Sequence, residues 1–357
     1  GQSGYESCYN SIMATLGEVG YYSRRIVKWG IISVIIIMLI PFVFRIIKSI
    51  YLTLLPPAPP APTVSYGKLP LLNFELADSA YKPQLRLETI EGKLPGLSNV
   101  GQVYFVETSR SRILSLDKVK LKARYLGFDR EPEALDERTY KFTHPKDPSV
   151  LTVDIISDKL QFRYDWVTNQ ELYTKTLTLP REQVVSEAKS FLQSLNLLPA
   201  DIAESQIKIT YLTATPPTLT PAISASEANF ARADFYRSDK DGLKFVAPGI
   251  ESAPISIVLG SKIILADYNY SKTIDGDFAT YPLRGVQAAW DELVGGGGYI
   301  AKPAANNVAV RKVSLAYFES NLPQRFLQPV YVFEGDGGFT AFVQAISPDY
   351  VDPRSAK

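Results

Sequence analysis

The chain has 357 residues and a formal net charge of +1 at pH 7, with 38 basic residues against 37 acidic residues. This balance excludes the basic electrostatic footprint on which nucleic-acid binding depends, so we expect no nucleic acid among the partners. One cysteine and one histidine exclude an intrachain disulfide and leave too few ligands for a zinc site. We therefore expect no metal and no cofactor.

An uncharged apolar stretch runs from Trp29 to Phe44, with basic residues on both sides. As a helix the stretch covers roughly 24 Å, and flanking isoleucines extend it towards the roughly 30 Å of a bilayer core. We interpret residues 26–55 as one transmembrane anchor that follows an N-terminal tail of residues 1–25. A cleaved signal peptide is the rival interpretation, but no small-residue cleavage site follows the stretch.

The anchor is expected to contact the lipid bilayer over most of its surface. Four positions mark this predicted membrane-embedded surface: Trp29, Ile36, Pro41 and Phe44. The proline predicts a kink that a membrane helix can tolerate. Gly30 and Ser33 offer a small-residue face to a neighbouring membrane helix, although they miss the four-residue spacing of a small-xxx-small motif. We predict this pair as the helix-packing face.

The basic residues around the anchor predict its orientation. Arg24, Arg25 and Lys28 precede the apolar stretch, whereas Arg45 and Lys48 follow it. Cytoplasmic flanks carry the excess of Lys and Arg, so this bias favours a cytoplasmic N terminus. We therefore expect a plasma-membrane protein whose C-terminal domain lies outside the cytoplasm.

Residues 56–100 are predicted as a linker between the anchor and the folded part of the chain. The tract PPAPPAP at residues 56–62 lacks backbone donors at its prolines and favours an extended polyproline II spacer. From Thr63 to Asn99 the chain mixes Pro and Gly with short apolar pieces. This composition predicts an extended strap that lies over the first module.

The remaining residues repeat one pattern, in which an amphipathic helix accompanies several strands. Helical periodicity is found in three places, at residues 116–128, within 177–199 and within 281–300. Runs of β-branched and aromatic residues separated by turn residues predict antiparallel strands around these helices. The expected fold class is α+β, with about three helix-on-antiparallel-sheet modules at residues 101–175, 176–275 and 276–350.

Glycine-rich and acidic motifs in the chain are interpreted as turns. GGGG at residues 295–298 and GDGG at residues 335–338 lack the spacing of a phosphate-binding loop. Asp275 and Asp277 resemble the start of a calcium loop. Such a loop needs a bidentate Glu at its twelfth position, which is Val286 in this chain.

The sequence gives no positive indication of catalysis, so we expect that the chain is not an enzyme. His144 lies in a polar turn-like segment, and the chain has no G-x-S-x-G nucleophile elbow. Asp234, Asp267 and Glu319 are acidic residues near predicted strands. An envelope hydrolase would require at least two of these three carboxylates in one pocket.

Three segments, VQAAWDELVGGGGYIA, VSLAYFES and LQPVYVFEGDGGFTAFVQAI, lie within residues 281–346. Together they resemble the C-terminal module of the YycH/YycI regulatory proteins of Gram-positive bacteria. The residues that carry the resemblance include Trp290, Tyr317, Gln328 and Pro329. Similar helix-plus-hairpin units are found in PepSY-type domains, which are the weaker match. The YycH/YycI resemblance implies a membrane-tethered regulator of a sensor histidine kinase with extracytoplasmic α+β modules.

Two functions are consistent with these observations. The first is a single-pass envelope protein whose non-catalytic ectodomain binds a partner and regulates a membrane sensor histidine kinase. The alternative is a PepSY-like or cystatin-like module that binds or inhibits a protease, or that binds a cell-wall polymer. In the first case the partner is another membrane protein and loss of the anchor abolishes function. In the second case a soluble fragment from Thr63 onwards retains function.

Overall fold

The computed structural model describes most of the chain, in six ranges: 9–54, 61–74, 81–107, 112–177, 179–248 and 253–355. The chain divides into two compact units, Gly1–Ala61 and Pro62–Lys357. Most of the predicted polyproline II spacer, at residues 56–60, lies outside the described ranges, as do residues 1–8 of the predicted tail.

Helices and strands alternate irregularly along the described ranges. The five helices are α1 (Tyr9–Leu54), α2 (Arg112–Tyr125), α3 (Glu171–Thr174), α4 (Arg181–Ser194) and α5 (Val286–Val294). The nineteen strands are β1 (Leu69–Pro70), β2 (Gln84–Leu87), β3 (Val100–Val106), β4 (Glu133–Ala134), β5 (Thr139–Thr143), β6 (Ser149–Asp154), β7 (Leu160–Tyr164), β8 (Ile202–Thr215), β9 (Thr218–Pro221), β10 (Phe230–Arg237), β11 (Lys244–Val246), β12 (Ile255–Leu259), β13 (Ile263–Tyr268), β14 (Thr273–Pro282), β15 (Tyr299–Lys302), β16 (Asn307–Phe318), β17 (Phe326–Gly335), β18 (Thr340–Gln344) and β19 (Val351–Asp352). This mixture agrees with the predicted α+β class.

The described part of the first unit is dominated by α1, in which the stretch from Trp29 to Phe44 carries no charge. Among the described residues, one helical stretch is long and apolar enough to cross a membrane: Ser23–Ile50, with 28 residues and a mean hydropathy of 2.7. At about 1.5 Å per residue it is roughly 42 Å long, which exceeds a bilayer core. The helix runs uninterrupted through Pro41. The structure is therefore compatible with a single-pass membrane anchor.

The larger sheet of the second unit has nine strands in the described residues, each antiparallel to its neighbours. Their order is β4-β5-β6-β7-β13-β12-β10-β8-β9. Strands β7 and β13 pair from Leu160 opposite Tyr268 to Arg163 opposite Leu265. This pairing joins residues that the sequence divides between the first two predicted modules. The helices of those modules thus lie on one continuous sheet.

Helices α2 and α4 cover one face of the nine-stranded sheet and share its main core. Helix α4 buries Val184, Ala188 and Leu192, which follow the helical period of 3.6 residues. Strand β10 alternates and places Ala231 and Phe235 in the same core. Burial of one large aliphatic side chain contributes about 1.5–3 kcal/mol, whereas a surface ion pair contributes about 0–1 kcal/mol. Apolar packing therefore dominates the stability of this region.

The second sheet is centred on the long hairpin-like pair β16 and β17. These strands are antiparallel from Val310 opposite Gly335 to Phe318 opposite Gln328. Strands β2 and β11 pair in parallel with β16 on the edge that faces away from β17. Strands β3 and β18 pair with β17 on the edge that faces away from β16. Helix α5 buries Ala289 against this sheet. The C-terminal helix-on-sheet arrangement predicted from the sequence is therefore present.

The predicted strap is partly built into the second unit as two short strands. Strand β1 pairs in parallel with β19, with Leu69 opposite Val351. Strand β2 pairs in parallel with the start of β16, with Gln84 opposite Asn307, so this part of the strap lies on the predicted third module and its predicted place on the first module is wrong. The strap is therefore held by backbone hydrogen bonds and not by side-chain packing alone. Residues 75–80, between these strands, lie outside the described ranges.

Strand β3 groups differently from the three modules expected from the sequence. The strand at residues 101–107 is predicted to open the first module, but β3 pairs with β14 and β17 of the second sheet. Strand β14 itself crosses the predicted boundary between residues 275 and 276. The number of modules is therefore not confirmed. Alternating apolar residues identify a strand, but they do not specify which distant strand it pairs with.

The GGGG run ends α5, as predicted, and enters β15 through residues with positive φ. A Cβ atom at Gly298, where φ is +78°, would lie 2.7 Å from the Phe342 carbonyl oxygen. At Gly296, where φ is +86°, a Cβ atom would meet no heavy atom within 4 Å in the described part of the chain. Both positions favour glycine, but only Gly298 also lacks space for a side chain.

We expect Gly298→Ala to lower the free energy of unfolding by about 2 kcal/mol, because backbone strain and a steric clash add. Gly296→Ala is the matched control and is expected to cost about 1 kcal/mol, from backbone strain alone. Chemical denaturation followed by the fluorescence of Trp290 measures both changes. Equal losses for the two variants would show that the Phe342 carbonyl does not restrict position 298.

Candidate functional site

The predicted anchor residues lie on the exposed surface of α1. Trp29, Ile36 and Phe44 are 60%, 51% and 67% exposed, and the Ser23–Ile50 stretch has no buried part. Gly30 and Ser33 are also exposed, and both lie in this stretch. An apolar helix surface of this extent is unfavourable in water and is suited to lipid or to another apolar helix.

Of the four residues noted for the family resemblance, three lie in strands of the second sheet, and Trp290 lies on α5, which packs against that sheet. Gln328 is buried, and its Nε2 donates to the Pro70 carbonyl at 2.9 Å while its Oε1 accepts from Gln344 Nε2 at 2.9 Å. Pro329 lies opposite Tyr317 in the β16–β17 ladder. The ring of Trp290 on α5 packs against Phe333, with centroids 5.8 Å apart. Gln328 thus links the hairpin to the strap.

Tyr317 is buried and also belongs to a partly buried hydrogen-bond node, whose acceptor Asp241 is exposed. Its hydroxyl donates to Asp241 Oδ2 at 2.9 Å, and the hydroxyl of Tyr104 donates to the same oxygen at 2.6 Å. Burial raises the pKa of the Tyr317 phenol, and the Asp241 carboxylate raises it further. The node connects β3 and β16 to the turn before β11.

Of the three acidic residues noted from the sequence, Asp234 and Asp267 both lie opposite Ser256 in one cross-strand row, whereas Glu319 belongs to the second sheet. Asp234 is buried and paired with Arg232 at 2.8 Å, and it accepts a hydrogen bond from Ser256. Asp267 pairs with Arg163 at 2.6 Å on the same nine-stranded sheet. Glu319 follows the last residue of β16 in the second sheet. Two of these carboxylates are therefore engaged by cations in one sheet, and the third is part of a different cluster.

Five charged and phenolic side chains meet where strand ends of the two sheets converge. We name them the junction cluster: Lys159, Asp201, Arg237, Tyr270 and Glu319. Each residue lies at a strand end or within two residues of one. Four of the residues come from the nine-stranded sheet, and only Glu319 comes from the second sheet. The cluster therefore links the two sheets through polar contacts.

Arg237 is the centre of the junction cluster, and its side chain is only 2% exposed. Its Nε donates to Asp201 Oδ2 at 2.8 Å, and its Nη1 donates to Glu319 Oε1 at 3.2 Å. The rings of Phe245 and Tyr270 flank the guanidinium, with centroids 4.0 and 4.3 Å from Cζ. A buried arginine is tolerated when its planar guanidinium donates hydrogen bonds to carboxylates and stacks on aromatic rings.

Glu319 has one satisfied and one unsatisfied carboxylate oxygen. Its Oε1 accepts from Arg237 Nη1 and from the Ser271 backbone N–H at 2.5 Å. Its Oε2 is buried and has no hydrogen-bond partner among the described residues. Burial raises the pKa of the Glu319 carboxyl above its ordinary value, against the lowering effects of Arg237, the Ser271 N–H and Lys159. A buried acceptor of this kind costs about 1–3 kcal/mol when it stays unpaired.

Lys159 makes the second polar link between the sheets. Its Nζ donates to the carbonyl of Ser320 and to the carbonyl of Leu322, the latter at 3.0 Å. The lysine precedes β7 in the nine-stranded sheet, whereas both carbonyls belong to the loop between β16 and β17. This contact positions the loop that follows Glu319.

A crevice of about 410 Å³ lies beside the junction cluster. Its lining includes Gln206, Tyr236, Arg237, Lys244, Phe245 and Glu319. The Oε1 atom of Gln206 is buried and, like Glu319 Oε2, has no hydrogen-bond partner in the described ranges. Two residues of the lining therefore each carry a buried oxygen that has no hydrogen-bond partner in the described ranges.

A larger groove, of about 730 Å³, runs beside the strap. It is lined by aromatic residues, including Tyr66 and Phe105, and by the basic residues Lys68 and Arg325. The Arg325 guanidinium lies 5.4 Å from the ring centroid of Phe326. This groove combines aromatic and basic groups on the surface of the second unit.

His144 closes a turn, in agreement with its interpretation as a loop residue. Its Nδ1 accepts hydrogen bonds from the backbone N–H groups of Lys146 and Asp147, at 3.2 and 2.7 Å. The imidazole packs edge-on against Phe128, with centroids 5.3 Å apart. No group of three or more His, Cys, Asp and Glu side chains that could hold a metal was found in the described part of the chain.

The pair Asp275 and Asp277 lies within β14, at a shift in its register with β3, and not in an isolated turn. Gly276 between them has φ of +84°. The carboxylate of Asp277 accepts a hydrogen bond from the Tyr66 hydroxyl at 2.5 Å. Gly276 and Asp277 are exposed, as predicted, but the prediction of a turn is wrong, because both residues lie in a strand where its register shifts.

Sequence reasoning singled out Glu319 in this region but missed Arg237, Lys159 and Gln206. Arg237 ends the apolar strand FARADFYR, and such a charge near a strand end is ordinarily solvated. Its burial depends on the approach of β16, which begins about seventy residues later in the chain. No local pattern distinguishes a strand-end arginine that meets a distant carboxylate from one that faces water.

The buried phenols predict the behaviour of the protein at alkaline pH. Burial raises the pKa of Tyr268, Tyr270 and Tyr317 above the ordinary phenol value. A raised folded-state pKa means that the neutral phenol stabilises the fold fully below about pH 10, and that this stabilisation is lost as pH rises further. We expect these tyrosines to ionise only as the second unit unfolds. Phenolate absorbance and circular dichroism recorded together test this, and full ionisation near pH ~10 with an intact fold would contradict it.

Comparisons with known proteins add little to these observations. No protein-family model matches the chain, and no curated protein matches it. One similar solved structure is that of an uncharacterized protein from Eubacterium rectale ATCC 33656, with 11% sequence identity and a TM-score of 0.35. The similarity covers 69% of this chain and 82% of that chain. At this score the likeness supports no inference about fold or function.

Proposed function

We propose that this chain is a single-pass, membrane-anchored regulator whose ectodomain binds a partner and carries no catalytic site. The partner is another membrane protein, of the sensor histidine kinase class that the YycH/YycI resemblance implies. The observation that carries the proposal is the apolar Ser23–Ile50 stretch of α1, which has no buried part. Its surface is available both to lipid and to a second helix.

The state of the acidic residues supports the non-catalytic part of the proposal. Asp234 and Asp267 are held by Arg232 and Arg163, which keeps both carboxylates in ion pairs. General acid–base work needs a proton-transferring group within hydrogen-bond reach of a bound substrate. A carboxylate that a neighbouring cation already occupies is better suited to holding the sheet together.

The mechanism we propose is lateral contact within the bilayer, combined with docking outside it. The exposed Gly30 and Ser33 let another helix backbone approach closely, so that van der Waals contacts form along the seam. With a cytoplasmic N terminus, the second unit lies outside the cytoplasm and contacts the external domain of the same partner. Two contacts on one partner raise the apparent affinity through effective concentration.

The experiment compares the full chain with a soluble fragment from Thr63 onwards, each carrying an affinity tag, in purification from membranes. We expect the full chain to recover a second membrane protein and the fragment to lose it. In parallel, a reporter enzyme that is active only outside the cytoplasm is fused to the C terminus. We expect this fusion to be active. Equal recovery of a protease or a cell-wall polymer by both forms would contradict the proposal and would favour the PepSY-like or cystatin-like alternative.

A further inference from the structure

We propose that the groove beside the strap binds an anionic amphiphile, a phosphate or carboxylate group joined to an apolar chain, through Lys68 and Arg325. The site lies within the second unit and does not depend on the anchor-based function proposed above. Its volume of about 730 Å³ lies in the usual range for small-molecule sites. The strap and the loop between β16 and β17 both contribute to its lining.

Arg325 supplies an accessible cation at this groove. The residue is exposed, and its Cζ lies 5.8 and 5.4 Å from the ring centroids of Phe105 and Phe326, which both line the groove. These contacts place the guanidinium itself at the groove. No described residue forms a hydrogen bond or an ion pair with the guanidinium, so its N–H donors are available to a ligand. A planar guanidinium can bind a carboxylate or a phosphate through two parallel hydrogen bonds.

Lys68 supplies a second cation, from the strap. The backbone N–H of Arg354 lowers the pKa of the Asp352 carboxyl, and the positive charge of Lys68 contributes to the same shift. Because Asp352 lines the groove, this interaction places the Lys68 ammonium close to the groove wall. Lys68 is exposed and has no ion-pair partner within the described ranges, whereas Asp352 contacts the Arg354 side chain at 3.4 Å.

The charges of the groove therefore favour an anion. Among the described residues the lining holds two cations, Lys68 and Arg325, and one carboxylate, Asp352, so its formal charge is positive. A cationic ligand would be repelled by both basic side chains, whereas an anionic group forms charge-assisted hydrogen bonds with them.

Apolar groups on both walls favour a ligand that also has an apolar part. Leu71 of the strap is 40% exposed, and Leu322 of the β16–β17 loop is 39% exposed. Tyr66 and Phe105 are half-buried and line the same groove. An apolar chain that covers these side chains removes their surface from water, which favours binding. A phosphate ion alone cannot make this contribution.

The test uses the full chain in phosphatidylcholine nanodiscs and saturation-transfer NMR, with empty nanodiscs as the background. Hexyl phosphate is the probe; inorganic phosphate lacks its apolar chain, and hexanol lacks its charge. We expect hexyl phosphate to bind and the other two to bind at least about tenfold more weakly. Arg325→Met keeps the apolar stem, removes the charge and is expected to weaken hexyl phosphate binding about tenfold or more. Lys68→Met is expected to act in the same direction.

Two further variants control for charge and for folding. Arg325→Lys retains the charge without the planar fork, and we expect intermediate affinity. Lys118→Met, at an exposed position of α2 outside the groove lining, is the matched control and is expected to leave binding unchanged. Dihexanoyl phosphatidylglycerol, titrated in the same way, distinguishes the source of the ligand. Tighter binding than that of hexyl phosphate indicates a lipid headgroup, and weaker binding indicates a free organic phosphate.

Hexyl phosphate binding no stronger than that to empty nanodiscs would overturn the proposal. Binding that is unaffected by both Arg325→Met and Lys68→Met would also overturn it. Hexanol binding as tightly as hexyl phosphate would overturn the anionic part of the assignment, and equally tight binding of inorganic phosphate would overturn the apolar part. None of these results bears on partner recovery through α1.

Discussion

Replacing Arg237 with methionine is expected to lower the free energy of unfolding of the second unit by about 3–5 kcal/mol. The substitution leaves Glu319 buried without its cation and removes the donors to Asp201 and to the Ser271 carbonyl. The loss is expected to be smaller at about pH 5 than at about pH 8, because a stranded buried carboxyl relieves its cost by taking up a proton. Denaturant titration of the full chain, followed by the fluorescence of Trp166, measures the change.

A surface ion pair and a double variant provide the controls for Arg237→Met. Arg311 pairs with Asp336 at 2.9 Å but is 52% exposed, so Arg311→Met is expected to cost no more than about 1 kcal/mol. Combining Arg237→Met with Glu319→Gln is expected to recover part of the loss, since no charge is then stranded at Glu319. Equal effects of Arg237→Met and Arg311→Met would show that the junction cluster does not hold the two sheets together.

Replacing Ile36 with lysine is expected to raise the free energy of membrane insertion of α1 by about 2.5–3.5 kcal/mol. Ile36 lies near the middle of the Ser23–Ile50 stretch, where a charged group is furthest from both water interfaces. The change would reduce the inserted fraction in a translocation assay with a glycosylation reporter. It would also increase the fraction of the protein that alkaline carbonate extracts from membranes.

Ile26→Lys is the matched control for the anchor, because Ile26 is also exposed but lies beside Arg24 and Arg25 at the start of the stretch. A lysine there extends its charge to the headgroup region and is expected to change the insertion free energy by less than about 1 kcal/mol. Similar insertion of both variants would mean that residue 36 is not at the bilayer centre. The membrane assignment would then fail.

The elements that depend on local periodicity could be predicted from the sequence. Helical periodicity within residues 177–199 predicts α4, and the structure places its Val184, Ala188 and Leu192 in the core. Periodicity within residues 281–300 predicts α5 for the same reason, since a helical period is visible in a short window. The apolar α1 follows from composition alone.

Long-range pairing could not be predicted, and the candidate site depends on it. Strand β3 reads as the start of a module, but its partners β14 and β17 lie far along the chain. The approach of β16 to the end of β10 brings Glu319 to Arg237. Neither segment has a sequence pattern that predicts contact with the other. Unpaired oxygens such as Gln206 Oε1 are defined by a complete set of neighbours, which a sequence does not provide.

In the mechanism that we propose, α1 packs against the helix of another membrane protein through Gly30 and Ser33. A photo-crosslinking amino acid at position 33, activated in native membranes, tests it most directly. The same group at Ile35, about 200° around the helix from Ser33, is the control. We predict that position 33 yields a covalent adduct with a second membrane protein and that position 35 yields much less. Recovery of the chain alone at both positions, or equal adducts at both, would contradict the account.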